Sequence, residues 1–256
     1  MDKKTEAFSR ILQIMDELRE KCPWDRKQTF ESLRPLTIEE TYELGDAILQ
    51  KDMNGVKEEL GDLLQHIVFY AKIGEEQNEF DIADVINDLC EKLITRHPHI
   101  YGDVKVNNEE DVKQNWEKLK LKEGKKSVLA GVPPSLPALI KAYRIQDKAA
   151  QVKFEWEHIE DVWKKVEEEI GELHEASAVA DKTKTEEEFG DLIFALVNYA
   201  RFLKVDPEAA LERTNLKFIR RFKYIEEQAA SAKKDLKDMT LVEMDAIWNE
   251  AKQNGL

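Results

Sequence analysis

The sequence lacks most of what a secreted, membrane-spanning or β-rich protein needs. Its two cysteines, Cys22 and Cys90, stand far apart and outside any C-x-x-C pair, which excludes a disulfide framework and makes a reducing, cytoplasmic location the expectation. Ten glycines and seven prolines in 256 residues are too few for the turns of an all-β chain, so helices are expected. No apolar run approaches the roughly 20 residues of a membrane span, and Met1 to Ala7 is polar, so neither anchor nor signal peptide is expected. Basic charge is also scarce, with 39 Lys and Arg against 53 Asp and Glu for a formal net charge of −14. That balance disfavours a nucleic-acid partner, because phosphate backbones are gripped by clustered Lys and Arg. It does not disfavour a small polyanion that arrives with divalent ions.

The abundant acid is ordered. Glu40, Glu43, Glu59 and Asp62 form an E-x-x-E … E-x-x-D pattern, and Glu169, Glu172, Glu188 and Asp191 repeat it at a constant offset of 129 residues. The chain therefore reads as a duplication: an N-terminal copy over 1–122, a Gly- and Pro-containing linker over 123–135, and a C-terminal copy over 136–256.

Periodicity places these acids on helices. A first helix carries Phe8, Ile11, Leu12, Met15 and Leu18 on one face and stops before Pro23, with Asp25 as the expected cap of the next helix. The spacing predicts a second helix over Phe30 to Gln50, whose inward stripe runs Leu33, Leu36, Glu40, Glu43, Ala47. Two carboxylates thus occupy positions where apolar residues belong, about 4.5 Å apart along the axis. Ionised groups turned toward a core cost several kcal/mol or more without a compensating cation. A third helix is expected over Val56 to Gly74, with Leu60, Leu63, Leu64, Ile67, Val68 and Ala71 inward and Glu59 and Asp62 at the margin. Gly61 and its counterpart Gly190 suggest a close approach of the backbone, since a mid-helix Gly costs about 1 kcal/mol against Ala. Helix packing is a sufficient alternative reason.

A fourth helix, Ile82 to Arg96, buries Val85, Ile86, Leu89 and Leu93 in this reading and stacks Lys92 and Arg96 one turn apart, as Lys217 and Arg221 do in the second copy. His97-Pro98-His99 reads as a helix stop, His66 as an incidental polar residue and Cys22 as buried and inert. Each copy closes with a capped helix, the first beginning at Asn108 and the second at the capping box Thr240–Glu243. These helices match through Trp116 and Lys120 against Trp248 and Lys252, with both Trp residues read first as packing residues.

An all-oxygen set of carboxylates suits Mg²⁺ or Mn²⁺ and does not suit zinc. Two divalent ions neutralise four carboxylates, and a nucleoside triphosphate adds roughly four negative charges that Lys217, Arg221 and Lys252 are placed to meet. A metal-assisted phosphate site is therefore coherent. Three other readings stand beside it. In a chain this acidic, E-x-x-E pairs also occur on ordinary solvated faces. A di-iron carboxylate bundle uses inward Glu residues but wants Glu-x-x-His pairs, which neither copy has beside these acids. A helical interaction module with a degenerate site remains open for the first copy.

Glu39-Glu40-x-x-Glu43 with Glu59-Leu-Gly-Asp62, and Glu168-Glu169-x-x-Glu172 with Glu188-Phe-Gly-Asp191, resemble the signature of the MazG family of nucleoside triphosphate pyrophosphohydrolases. Cys22-Pro-Trp-Asp25, Gln28-Thr29 and Arg96-His-Pro-His99 resemble the first domain of its two-domain members. The resemblance implies an all-α fold of two tandem helical bundles, assembled as a homodimer. It implies Mg²⁺-dependent hydrolysis of nucleoside triphosphates to the monophosphate and diphosphate, with Glu40, Glu43, Glu59, Asp62, Glu169, Glu172, Glu188 and Asp191 as metal ligands. By the same similarity Lys165, Lys184, Lys217, Arg221, Trp248 and Lys252 contact nucleotide. The internal repeat makes Lys92 and Arg96 either the first copy's phosphate pair or an ordinary charged face, and the mechanism expected here gives the proton of the attacking water to Glu168 or Glu169. The copies differ: Leu36 replaces Lys165 and Gly55 replaces Lys184, with Lys57 as a substitute cation, so the second copy is expected to be the main active site.

Overall fold

The computed structural model describes residues 2–106, 108, 111–112, 115 and 127–256, and among them every regular element is helical. Contacts divide the chain into two compact units, Met1–Leu119 and Lys120–Leu256.

In the first unit, α1 (Lys3–Lys21) ends at Cys22, whose extended backbone is what the following Pro23 requires. Asp25 does not cap the next helix. It opens a 3-10 turn, Asp25–Lys27, without a side-chain cap bond. The cap of α2 (Phe30–Gln50) is Thr29, in a reciprocal box with Ser32: each accepts from the other's backbone N–H, at 3.2 and 2.8 Å. A short hydroxyl three residues into the helix does here what Glu does in the usual box. Asp52 caps α3 (Met53–Glu76) by accepting from Asn54 N, so the helix begins three residues earlier than its apolar pattern suggests. Asp81 and Asp84 box the start of α4 (Ile82–Arg96), and Pro98 forces the break into the single turn α5 (Pro98–Tyr101). Asn108 does act as a cap, accepting from Asp111 N at 2.8 Å. The expected Trp116–Lys120 pair lies outside the described residues.

The core of this unit is Met15 from α1, Leu33 from α2, and Val68, Phe69 and Ile73 from α3, with Ile11, Leu12, Phe30, Leu36 and Tyr70 around it. Arg19 fastens the end of α1, donating Nε to Glu76 at 2.9 Å and a terminal N–H to the Gln28 carbonyl at 3.2 Å.

The second unit begins with α6 (Ala138–Gln151), an element that the acid pattern does not predict and that packs on α8 as α1 packs on α3. There follow α7 (Ile159–Ala178), α8 (Lys182–Phe202) capped by Asp181, α9 (Pro207–Ser231) capped by Asp206 with Pro207 at its first position, a 3-10 turn (Leu236–Asp238), and α10 (Leu241–Gln253). The expected Thr240–Glu243 capping box is formed. Antiparallel pairs α2–α3 and α7–α8 are the main helix contacts of their units. The buried row of α7 is Val162, Val166, Glu169 and Ala176, a 4-3 spacing with one carboxylate in it.

Several expected core positions are on the surface. Leu60, Leu64 and Ile67 of α3 and Ile86, Leu89 and Leu93 of α4 are exposed, as are Phe189 and Leu196 of α8. Each such helix carries apolar residues on more than one row, and a single chain covers only the row facing its neighbour, which in α3 is Val68, Phe69, Ala71 and Ile73. Gly61 and Gly190 likewise meet nothing: a Cβ built at either has no atom within 4 Å, so the close approach expected for them is not made within the chain. Cys22 is half-buried and Cys90 exposed.

Leu33, fully enclosed among α1, α2 and α3, gives the sharpest test of this packing. Leu33→Ala is expected to lower unfolding stability by about 3 kcal/mol in urea titration, and a loss below about 1 kcal/mol would contradict its place in the core.

Candidate functional site

The repeated acids fall on facing rows of the two antiparallel pairs. Glu40 and Glu43 come from α2 and Glu59 from α3; Glu169 and Glu172 come from α7 and Glu188 from α8. In each trio, one carboxylate oxygen per residue lies within 4.8 Å of the others. The fourth acid of each pattern, Asp62 or Asp191, does not meet all three others within that limit, although Asp62 is near enough for its charge to act on Glu40 and Glu59. Burial is graded in the same sense in both copies, from the inner Glu40 or Glu169 to the exposed Glu43 or Glu172.

Such crowding perturbs the acids. Partial burial, with the charges of Asp62 and Glu43 beside it, holds the Glu40 carboxyl above its ordinary value. Burial, the charge of Glu43 and the neighbouring Glu40 carboxyl do the same to Glu59, and burial with the charges of Glu188 and Glu169 to Glu172. Glu59 Oε2 is shielded from solvent and has no hydrogen-bond partner. An orphaned inward oxygen among three converging carboxylates fits a hard divalent cation with oxygen ligands, and the absence of His and Cys from both trios does not fit zinc.

The cations of the two copies are distributed differently. Lys165, one turn before Glu169, donates to Glu168 at 2.7 Å and to Glu169 at 2.8 Å; these two hydrogen bonds push its own pKa up. Lys184 sits in the first turn of α8, its backbone N–H bound to the cap Asp181, with its side chain exposed. Lys217 and Arg221 share a face of α9. The Arg221 guanidinium lies over the Trp248 ring at 5.4 Å, and its Nε donates to the Leu256 carbonyl at 2.8 Å. Trp248 also meets Phe218, ring centroids 5.1 Å apart, which makes it a packing residue that holds Arg221. Lys252 is exposed. No hydrogen bond or ion pair joins the α9–α10 set to the acids of α7 and α8 among the described residues. In the first copy Lys92 is exposed and Arg96 half-buried.

His66 needs more than the reading of an incidental polar residue. It is 5% exposed, its Nδ1 has no partner, and burial draws its pKa down against the opposing charge of Asp62, with the ring tilted toward Tyr70. Its position on the inner row of α3 became visible only once the register of the helix was known.

The MazG nucleotide pyrophosphohydrolase domain matches the chain twice, over residues 28–101 and 158–225, so that each match contains one carboxylate trio. A Thermotoga maritima protein named nucleoside triphosphate pyrophosphohydrolase/pyrophosphatase MazG is 48% identical over 250 residues, covering 96% of this chain and 95% of the relative. An Escherichia coli nucleoside triphosphate pyrophosphohydrolase is 42% identical over 255 residues, covering 96% and 97%. The uncharacterized protein YabN of Bacillus subtilis is 49% identical over 252 residues, covering 96% of this chain and 52% of its own length. With two domain matches and near-complete alignment to the Thermotoga maritima and Escherichia coli relatives, the chain belongs to the MazG nucleotide pyrophosphohydrolase family.

Proposed function

We propose that this protein hydrolyses nucleoside triphosphates to the monophosphate and diphosphate, with Mg²⁺ or Mn²⁺, chiefly at the cluster of the second unit. The observation that carries this reading is the convergence of Glu169, Glu172 and Glu188 within 4.8 Å beside a lysine, Lys165, bound to the same acids. Glu169, Glu172 and Glu188 would hold the ions, with Asp191 completing the set from one turn beyond Glu188; Glu40, Glu43, Glu59 and Asp62 are the first copy's equivalents. When bound, such ions polarise phosphoryl oxygens and lower the pKa of water.

The chain's own residues supply the rest. Lys165 and Lys184 neutralise phosphate oxygens near the acids. Lys217, Arg221 and Lys252 supply further positive charge, with Arg221 held ready by its Trp248 and Leu256 contacts. Glu168 or Glu169 accepts the proton of the water that attacks the α-phosphorus, and diphosphate leaves against the basic groups. In the first copy Leu36 and Gly55 stand where Lys165 and Lys184 do, so its trio has fewer groups to meet a triphosphate. That copy serves weaker or differently selective turnover, or assembly.

The same surfaces support a homodimer. Leu60, Leu64 and Ile67 flank an open Gly61, and Phe189 and Leu196 flank an open Gly190, the pattern of a helix face that another helix covers closely. No helix of the described residues is long and apolar enough to cross a membrane. A cytoplasmic setting agrees with two unpaired thiols, and the acidic balance argues against a nucleic-acid partner.

Incubation with a panel of nucleoside triphosphates and Mg²⁺ is expected to release monophosphate and diphosphate, resolved by ion exchange; nucleoside diphosphate with orthophosphate would overturn the reaction assigned. Glu172→Gln should reduce turnover about a hundredfold, and Glu43→Gln far less; equal losses would contradict the assignment of the main site to the second copy.

The raised carboxyls give a pH test. Glu40, Glu59 and Glu172 lie above the ordinary value of 4.5 in the folded chain, so their contribution to stability is intact below that value and is lost as the pH rises through their shifted values. Glu243, held down to about 2 by Lys234 and the Thr240 cap, titrates below this window. Mg²⁺ binds the ionised acids, so the Tm gain it gives should grow as pH is raised from 4.5 toward neutrality, and a pH-independent or absent gain would contradict a metal role for the trios.

A further inference from the structure

We infer that Lys165 is a built-in counter-ion of the second carboxylate trio, which a divalent ion must displace, and that the first trio, with no such cation among the described residues, takes free divalent ions more tightly. This rests on the reading of both trios as metal sites and says something separate about how they differ.

The two trios are close copies in geometry and unequal in charge. Each brings three carboxylates together within the same 4.8 Å limit. In the second, the Lys165 ammonium sits 2.8 Å from Glu169, the most buried of the three acids, and 2.7 Å from the exposed Glu168. It neutralises the charge that an incoming ion would have to neutralise. In the first, Leu36 occupies the matching place and packs against the core of Met15, Leu33 and Phe69. Among the described residues no Lys, Arg or His nitrogen comes within ion-pair distance of Glu40, Glu43 or Glu59, and Glu59 Oε2 is left buried without a partner. Like charges held together without a cation favour the entry of one.

Lys165 can give way because its side chain is 38% exposed while that of Glu169 is 6% exposed, and a flexible four-carbon stem lets the ammonium swing without moving the helix. Glu168 offers it a place outside the trio, and the phosphates of a bound nucleotide offer a better one. The second trio therefore binds its ion together with a triphosphate, with Lys165 passing from carboxylate to phosphate, whereas the first trio holds an ion in the absence of nucleotide. The copy that is poorer in phosphate-binding cations is, by the same substitution, richer in affinity for the free ion. The duplicated fold thereby contains one nucleotide-independent and one nucleotide-linked ion site.

The test is Mn²⁺ binding to the full chain without nucleotide, followed by the electron paramagnetic resonance signal of the free ion. Two classes of site are expected, with Glu43→Gln removing the tighter and Glu172→Gln the weaker. Lys165→Met, which keeps the stem and removes the charge, should tighten the weaker class about fivefold, the most that a half-exposed ion pair supplies, and leave the tighter class unchanged. A non-hydrolysable triphosphate analogue should tighten Mn²⁺ at the second site of the native chain, and do so less in Lys165→Met. If neither glutamate variant alters Mn²⁺ binding, the metal reading fails and this inference with it. If the glutamate variants remove sites but Glu172→Gln removes the tighter one, or Lys165→Met leaves the weaker class unmoved, the metal reading stands and the counter-ion role of Lys165 is wrong.

Discussion

Two antiparallel helices that meet through carboxylates are the constraint on which this protein is built. Hydrophobic pairing of α7 with α8 would ask for an apolar residue at position 169, yet Glu169 is there and 5% exposed. A buried ionised acid is tolerable only with a compensating cation or a proton. The fold therefore has to keep three acids close while supplying charge of the opposite sign, and the surrounding elements are arranged accordingly. Thr29, Asp52 and Asp181 fix the starts of the acid-bearing helices by capping. Val162, Val166 and Ala176 clamp the rows on either side of Glu169, and Leu33 does the same ahead of Glu40.

The two copies meet that demand in different ways. The second unit supplies Lys165 at the acids and a prepared arginine elsewhere, Arg221, stacked on Trp248 and tied to the Leu256 carbonyl. The first unit commits its central arginine to the framework: Arg19 links the end of α1 to Glu76 and to the turn before α2, and Leu36 joins the core. One copy thus keeps a lysine paired with its acids, whereas the other has at the matching position a leucine that joins the core. This division agrees with a main site in the second copy.

Much of this was legible in the residues themselves. The constant offset between the acid patterns gives the duplication, and the 3-4 spacing of Leu33, Leu36, Glu40 and Glu43 puts two carboxylates on one helix face, of which Glu40 is half-buried as expected and Glu43 is exposed. Helix ends set by strong chemistry, such as Pro98 after α4 and the Thr240–Glu243 box, are also readable. Other features were not. Asp25 and Thr29 are both acceptable caps, and only the 3-10 turn between them decides for Thr29. Periodicity shows that Leu60, Leu64 and Ile67 share a face but not whether the chain covers it, because α3 has more than one apolar row. The helix α6 carries no acid pattern, and nothing in the repeat announces it. That Asp62 and Asp191 fall outside the 4.8 Å limit shared by their trios depends on side-chain geometry, which a spacing of three cannot resolve.

Delivery of water to the α-phosphorus at a carboxylate-held centre leaves its clearest trace in the fate of labelled oxygen. Hydrolysis of a nucleoside triphosphate in ¹⁸O-water with Mg²⁺, with both products analysed by mass spectrometry, distinguishes attack at the α- from attack at the β-phosphorus even though the same two products form. Attack at the α-phosphorus puts the label in the nucleoside monophosphate, which is the expected result. Label in the diphosphate would contradict it, since water would then have been directed to the β-phosphorus.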